Sequence, residues 1–247
     1  MTFTKLYASR EELEQTLAHY TWLSRNAGQV RLPDIEAVHA DRIDFASVEG
    51  RHAAIADAPA VAYELGRAHA ATWTNDLHRA DLTAAHLLTG GCELAGFVSP
   101  RVAALRRLRD AGRITAGQVA AVQPLLDVSP DTPVAFYKDT NPRNVLITGD
   151  GPVMIDFDSM SLAPFGYDLA KLLVTLAMTH GSLPLDTFLS TLAFYNSALI
   201  DAGLRPVPTT EVLGYAELHH LLTLSYLGRG GYQHLWPDVR PLPQELK

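Results

Sequence analysis

The sequence predicts an α+β fold with two lobes, a small strand-rich lobe with a hinge over residues 1–49 and a large helical lobe over residues 50–247. Short stretches of alternating apolar and polar residues dominate the first lobe, and apolar residues recur at helical spacing through most of the second. Within the second lobe, two apolar strand-like segments, Val145–Ile147 and Val153–Ile155, flank the turn Gly149-Asp150-Gly151 and predict a β-hairpin. A chain of 247 residues is long enough for two such lobes around a cleft.

The N-terminal lobe is predicted to begin with a strand and a helix. The alternating segment Phe3–Tyr7 favours a short strand. Ser9 is a candidate N-cap, with Glu12 three residues later in a capping-box position, and the amphipathic helix that follows is expected to end near Gly28. Further short strands are predicted at residues 30–32, 35–38 and 42–45, and residues 45–48 form the natural hinge.

Helical patterns account for most of the C-terminal lobe. Ser99, which precedes a proline, and Thr115 are both typical helix starts. Asp168, at the end of a loop, is a candidate N-cap for the strongly apolar helix after it. The predicted helices cover residues 60–73, segments that begin near residues 99 and 115, and residues 169–178, 185–200 and 212–227.

Three oxygen-bearing side chains lie at the mouth of the predicted hairpin: Asp139, Asn144 and Asp156. Asp139 and Asn144 have the D-x-x-x-x-N spacing of a kinase catalytic loop, and Asp156 follows a strand where a kinase has its magnesium-binding aspartate. In such a site the loop aspartate orients a hydroxyl and accepts its proton, while the amide and the second carboxylate hold Mg²⁺ against a triphosphate. We therefore predict phosphoryl transfer, with Asp139 as the base and Asn144 and Asp156 as metal ligands.

The alternative is that these three residues simply form turns, since Asp and Asn side chains bond readily to nearby backbone. A lone D-x-x-x-x-N segment would carry little weight, because the spacing is common by chance. A hairpin that joins this segment to an aspartate after an aliphatic strand is far more restrictive. The combination favours the catalytic interpretation.

The composition limits the classes of partner. The formal net charge is −7 and no block of Lys and Arg occurs, so we do not expect nucleic acid to bind. Cys92 is the single cysteine, which excludes an intramolecular disulfide and a cysteine-based metal site. The first residues have no apolar run typical of a signal peptide, and the apolar stretch 169–178 is interrupted by Lys171 and Thr175 and too short to cross a bilayer. We expect a cytoplasmic protein without a membrane partner.

Three motifs follow one another along the C-terminal lobe: Tyr137-Lys138-Asp139 with Asn144, Ile155-Asp156-Phe157-Asp158, and Ala163–Ala170, which contains Tyr167-Asp168-Leu169-Ala170. They resemble the H-G-D-x-x-x-x-N, I-D-[FW]-[DE] and G-P-x-x-Y-D-L-A motifs of the aminoglycoside phosphotransferase and choline kinase-like family, a branch of the protein-kinase-like fold. The resemblance implies a bilobal kinase-like fold with a truncated N-terminal lobe. It also implies ATP or GTP as co-substrate, Mg²⁺ as cofactor, the same base and metal ligands as above, and a mainly structural role for Asp168.

The strand lysine Lys5, followed by a glutamate-rich helix, repeats the order of a kinase small lobe, in which the lysine grips the phosphates and a helix glutamate holds the lysine. The structural alternative for Lys5 is an exposed lysine on an edge strand. Glu11 and Glu12 suit the first helical turn and the cap, so Glu14 is the predicted partner of Lys5. Lys138 replaces the usual glycine beside the base, where it either stabilises the transferred phosphoryl group or points to solvent.

Neither G-x-G-x-x-G nor G-x-x-x-x-G-K-[ST] occurs in the sequence, so no standard phosphate-cradling loop can be assigned. Either the phosphates lie open, or a protein partner or second copy of the chain covers them, or the chain is a non-catalytic kinase-like scaffold. The predicted acceptor is a hydroxyl of an antibiotic-like small molecule or of a peptide Ser or Thr. The reduced lobe is also similar to small kinase-like proteins of ribosomal peptide biosynthesis that act with a separate lyase, which would make the chain one subunit of a heteromeric enzyme.

Overall fold

The computed structural model describes residues 2–28, 30–88 and 91–241, and it confirms the predicted α+β class. Short strands gather in the N-terminal part and around the hairpin, and long helices form most of the remainder. The strands are β1 (Thr2–Leu6), β2 (Ile35–Val38), β3 (Arg42–Ala46), β4 (Arg51–His52), β5 (His86–Leu87), β6 (Glu93–Leu94), β7 (Val134–Tyr137), β8 (Val145–Thr148), β9 (Gly151–Met154) and β10 (Ser161–Pro164). The helices are α1 (Arg10–Asn26), α2 (Ala58–Asn75), α3 (Val98–Asp110), α4 (Ala116–Val122), α5 (Tyr167–His180), α6 (Leu185–Asp201), α7 (Thr209–Thr223) and α8 (Trp236–Val239).

The first sheet is antiparallel, in the order β1-β3-β2, and it places the lysine strand β1 at its edge. Side chains on β1 alternate between two faces, as a pleated strand requires. Phe3 and Lys5 line a cleft, whereas Thr4 donates a hydrogen bond to Asp44 on β3. The strand predicted at residues 30–32 is wrong, because this segment joins no ladder and contributes one carbonyl, that of Arg31, to the N–H of Met154.

Helix α1 begins as predicted at Ser9, whose hydroxyl accepts a hydrogen bond from the N–H of Glu12. Its buried face packs onto the C-terminal part of the chain. Trp22 lies in the same hydrophobic core as α2 and α5, its ring meets that of Phe136 edge-on, and its indole N–H donates to the buried carboxylate of Asp76 at 2.7 Å. Helix α1 is therefore tied to both parts of the chain. The division into two lobes after residue 49 stays a prediction. The first and last residues of the predicted lobes, 1 and 242–247, lie outside the described residues.

The hairpin is present as predicted. Strands β8 and β9 pair antiparallel with Val145 opposite Met154, and β4 adds a third strand alongside β8. Strand β7 pairs with β10 and leads directly into the loop 138–144, which then enters β8. This connection holds the loop between two small sheets.

The helix starts follow the sequence only in part. Thr115 caps α4 as predicted, with a reciprocal hydrogen bond to Gln118. Ser99 does not cap α3, which begins one residue earlier at Val98. Asp168 is not a cap either: the N-cap of α5 is Gly166, which has a positive φ of 82°. Of the helices in the described ranges, none has the length and apolarity needed to span a membrane.

The close contact between α2 and α6 depends on Gly66. A Cβ atom at this position would lie 2.7 Å from the carbonyl oxygen of Tyr195 and 3.0 Å from the Cβ of Ala198. Backbone cannot move aside as a flexible side chain can, so the two helices would have to separate. A larger residue at position 66 is therefore expected to destabilise the fold.

We predict that Gly66→Ala lowers the free energy of unfolding by about 1–3 kcal/mol, because overpacking outweighs the better helix propensity of alanine. Gly117→Ala in α4 is the matched control, since a Cβ there would meet nothing closer than 3.8 Å. Urea denaturation of both variants makes the comparison. Equal or greater stability of Gly66→Ala would contradict the packing argument.

Candidate active site

The loop that carries the predicted base is held by one buried carboxylate. Asp168, in the first turn of α5, accepts hydrogen bonds from the backbone N–H of Lys138 at 3.1 Å and of Thr140 at 2.8 Å. These are the residues on either side of Asp139. Burial raises the pKa of Asp168, while the nearby Lys138 ammonium and the two amides act in the opposite direction. The predicted structural role of Asp168 is thus a clamp on the loop and not a helix cap.

The two predicted acids have an unusual backbone conformation. Among non-glycine residues of the described ranges, only Asp139 and Asp156 have positive φ, at 60° and 66°. This left-handed region is uncommon for side chains other than Gly, Asn and Asp, and it persists where surrounding contacts impose it. At Asp139 those contacts are the two hydrogen bonds to Asp168. Strain of this kind concentrates at functional sites, so it supports a catalytic interpretation independently of the motif.

Two side chains that the sequence analysis did not assign hold the carboxylate of Asp139. The Lys171 ammonium lies 3.1 Å from Asp139 Oδ1, and the Tyr137 hydroxyl donates to the same oxygen at 3.2 Å. Burial would lower the pKa of Lys171, but Asp139 and the hydroxyl of Tyr232 outweigh it and raise the pKa. The sequence feature that points to this ion pair is a lysine within an otherwise apolar helix, because buried charges are rare unless paired.

One of the predicted metal ligands, Asn144, contacts the backbone of the predicted base, Asp139. The side-chain amide of Asn144 donates to the backbone carbonyl of Asp139 at 3.0 Å, and the backbone carbonyl of Asn144 accepts from the N–H of Ile155 at 3.0 Å. The second bond joins the loop to the residue before Asp156. Asn144 and Asp156 both line the cleft, and their carboxamide and carboxylate oxygens are the donor types that Mg²⁺ prefers.

Lys5 reaches across the cleft to the segment after β9. Its ammonium lies 2.7 Å from Asp156 Oδ1 and 2.6 Å from Asp158 Oδ2. Burial would lower the pKa of Lys5, but its bonds to the two carboxylates raise it, so the group is charged. The predicted pairing of Lys5 with Glu14 is wrong. Glu14 instead accepts from Arg10, its neighbour one turn back on the exposed face of α1.

Lys138 lies beneath the site and not at its surface. The side chain is almost fully buried, and its ammonium donates to the backbone carbonyl of Ile155 at 3.1 Å and lies 5.2 Å from the centre of the Phe157 ring. Burial lowers the pKa of Lys138, although Asp168, Asp156 and Asp139 oppose the shift. The solvent-facing interpretation is therefore wrong, and the contact that Lys138 makes braces the backbone before Asp156.

A cavity of about 400 Å³ opens beside these groups. Its polar lining includes Lys5, Asn144, Asp156 and Asp158, and further residues of β1, α1 and the predicted hinge complete the wall. Residues 45–48 contribute to the wall, and their role as a hinge stays a prediction. The apolar and aromatic lining comprises Phe3, Tyr7, Tyr20, Phe45, Val48, Leu146, Ile155 and Phe157.

The Phosphotransferase enzyme family matches residues 3–207 of the chain, a range that contains the whole site. The chain belongs to this family. The predicted relationship to aminoglycoside phosphotransferases and choline kinases is thereby confirmed. No curated protein matches the chain in sequence.

Solved structures of similar proteins confirm the predicted kinase-like fold. A choline kinase from Cryptosporidium parvum Iowa II has a TM-score of 0.60 at 14% identity over 90% of this chain and 74% of its own. An aminoglycoside-3'-phosphotransferase of type VIII has a TM-score of 0.58 at 17% identity over 89% and 84%. A macrolide 2'-phosphotransferase from Brachybacterium faecium has a TM-score of 0.59 at 14% identity over 98% and 84%.

We predict that Asp168→Asn lowers the free energy of unfolding by about 1–3 kcal/mol. The new side chain has one NH₂ group in place of an oxygen, so one of the two backbone N–H groups of the loop loses its hydrogen-bond acceptor. Asp110→Asn, at an exposed position bonded to Arg109, is the control. Denaturant unfolding measures both. A loss below about 0.5 kcal/mol for Asp168→Asn would show that the clamp contributes little.

Proposed function

We propose that the protein transfers the γ-phosphoryl group of ATP or GTP to a hydroxyl acceptor in a Mg²⁺-dependent reaction. The observation that carries the proposal is that one loop and hairpin carry the proposed base, Asp139, and the two proposed metal ligands, Asn144 and Asp156, while Lys5 reaches Asp156 from β1. Family membership supports phosphoryl transfer as the reaction class. The nucleotide, the metal and the acceptor are the proposed details.

The cavity suits a nucleotide in one orientation. The base of the nucleotide would pack against the hinge segment 45–48 and the aromatic lining, and the phosphates would extend towards Lys5, Asn144 and Asp156. Asn144 and Asp156 would hold Mg²⁺, which neutralises the charge that develops on the transferred group. A volume of about 400 Å³ lies in the range of small-molecule sites.

In the proposed reaction Asp139 acts on the acceptor. As the acceptor oxygen attacks the γ-phosphorus, the bond to the nucleoside diphosphate breaks, and the acceptor proton passes to the Asp139 carboxylate. Lys171 and Tyr137 both bind Oδ1 of Asp139 and so limit rotation of its carboxylate. Positioning of this kind is the main contribution a protein makes to phosphoryl transfer.

A glycine-rich segment near the C-terminal end, residues 228–232, contacts the loop that carries the proposed base and the lysine that binds it. Arg143 of the loop donates to the carbonyl of Gly230, and Tyr232 contacts Lys171 and Thr175 through its hydroxyl. We propose that the acceptor, an antibiotic-like small molecule or a peptide Ser or Thr, enters past this segment. The choline kinase and the two antibiotic phosphotransferases compared above have names that indicate hydroxyl-bearing substrates of several kinds. A protein partner or second copy that covers the phosphates remains part of the proposal.

We predict that Asp139→Ala abolishes phosphoryl transfer while nucleotide affinity stays within about threefold of wild type, because the base acts on the acceptor and not on the nucleotide. The measurement is transfer of label from γ-³²P-ATP to a panel of hydroxyl compounds and Ser- and Thr-containing peptides. Asp110→Ala, on the exposed end of α3, serves as control. Transfer at the wild-type rate by Asp139→Ala would rule out its role as base.

We predict that Asp156→Asn raises the Mg²⁺ concentration for half-maximal nucleotide binding roughly tenfold or more, since an amide replaces a charged ligand. Asp150→Asn in the hairpin turn is the control, because its side chain is 86% exposed and bonds to Arg31. Mg²⁺ titrations at fixed ATP concentration give both values. An unchanged Mg²⁺ requirement for Asp156→Asn would exclude it as a ligand.

A further inference from the structure

Lys5 on β1 is positioned by a different residue from the one that the sequence predicts. In the kinase arrangement described above, a helix glutamate positions the strand lysine, but the three acids at the start of α1 are engaged elsewhere or exposed. Glu14 pairs with Arg10, Glu12 accepts from the N–H of Ala8, and Glu11 is exposed. The group that meets Lys5, in addition to Asp156, is the carboxylate of Asp158.

Asp158 is itself fixed by α1. The hydroxyl of Thr16, on the buried face of this helix, donates to Asp158 Oδ1 at 3.2 Å, while Asp158 Oδ2 lies 2.6 Å from the Lys5 ammonium. One carboxylate therefore bridges a hydroxyl on the helix and an ammonium on the strand. The backbone beside it is held as well, because the carbonyl of Phe157 bonds to the ring of His19 on α1 at 2.9 Å.

The two carboxylates that bind Lys5 have different tasks when a nucleotide is present. Asp156 is the proposed Mg²⁺ ligand, so it cannot remain fully committed to the lysine. Asp158 can, because its Oδ1 faces Thr16 and its Oδ2 faces Lys5. The arrangement leaves Lys5 with one permanent anionic partner while Asp156 binds the metal.

We propose that Asp158 is the positioning residue for Lys5, and that α1 acts on the lysine through Thr16 and Asp158 instead of through a glutamate of its own. The inference rests on the proposed nucleotide-binding role of the cleft. It predicts that the contribution of Lys5 to nucleotide binding depends on Asp158. It also predicts that this contribution is independent of Glu14.

The test is a double-mutant cycle with ATP affinity, measured by calorimetry, as the readout. A cycle is needed because removal of Asp158 also removes a negative charge near the phosphates, which changes affinity by itself. Lys5→Met is placed in three backgrounds: wild type, Asp158→Ala and Glu14→Gln. Lys5 and Asp158 side chains are 26% and 39% exposed, so the variants are expected to fold, and screening keeps the effects moderate.

In the wild-type and Glu14→Gln backgrounds, Lys5→Met is expected to weaken ATP binding about tenfold. In the Asp158→Ala background the same change is expected to cost less than about threefold, and Asp158→Glu is expected to restore most of the dependence on Lys5. The result should hold both with Mg²⁺ and with EDTA, since it concerns the lysine and not the metal.

An equal effect of Lys5→Met in all three backgrounds, or none in wild type, would overturn the inference. A dependence that appears only with Mg²⁺ would also overturn it, because Asp158 would then act as a metal ligand. Failure of the proposed function has a different signature: wild-type protein would bind no ATP under either condition, and the inference would fall with it.

Discussion

The hydrogen bonds of Asp168 to the two amides that flank Asp139 are the interaction on which the site depends. One buried carboxylate fixes three consecutive residues of the loop and imposes the left-handed backbone at Asp139. The loop in turn positions Asn144 through its bond to the Asp139 carbonyl. Because a buried carboxylate is costly without partners, the loop and the helix stabilise each other.

Helix α5 carries a second contact to the same loop. Lys171 lies three residues after Asp168, so both side chains project from one face of the helix. The first holds the backbone around Asp139 and the second holds its carboxylate. Lys138, a residue of the loop, adds a buried side chain bonded to the backbone carbonyl of Ile155, just before Asp156. Such a network is strongly destabilised when one member is removed, which makes the first turn of α5 the anchor of the active site.

The sequence was sufficient for the large-lobe half of the site. Asp139, Asn144 and Asp156 are joined by a short loop and a hairpin, so local spacing alone predicts that they meet. Local spacing does not predict contacts between segments that are distant in the sequence. The pairs Lys171–Asp139 and Lys5–Asp158 join residues 32 and 153 positions apart, distances at which no periodic pattern constrains side chains.

The incorrect predictions for Glu14 and Asp168 have the same cause, which is that contacts between distant segments override local sequence preferences. Elimination along α1 leaves Glu14 as the partner of Lys5, but the helix residue that meets the cleft and binds Asp158 is Thr16, which the hydrophobic pattern does not mark. Asp168 looked like a helix cap because Asp favours that position, and tertiary contacts used it otherwise. Glycine at position 166 begins the helix instead, since its backbone takes the left-handed conformation that the turn requires.

The central claim is that the cleft between β1 and the hairpin binds a magnesium nucleotide. The most direct measurement is the melting temperature of the purified protein during titration with Mg-ATP. Binding to the folded state predicts a rise that grows with the logarithm of nucleotide concentration and reaches roughly 5–10 °C at a hundredfold excess over the dissociation constant. A melting temperature that stays constant up to millimolar Mg-ATP and Mg-GTP would contradict the account.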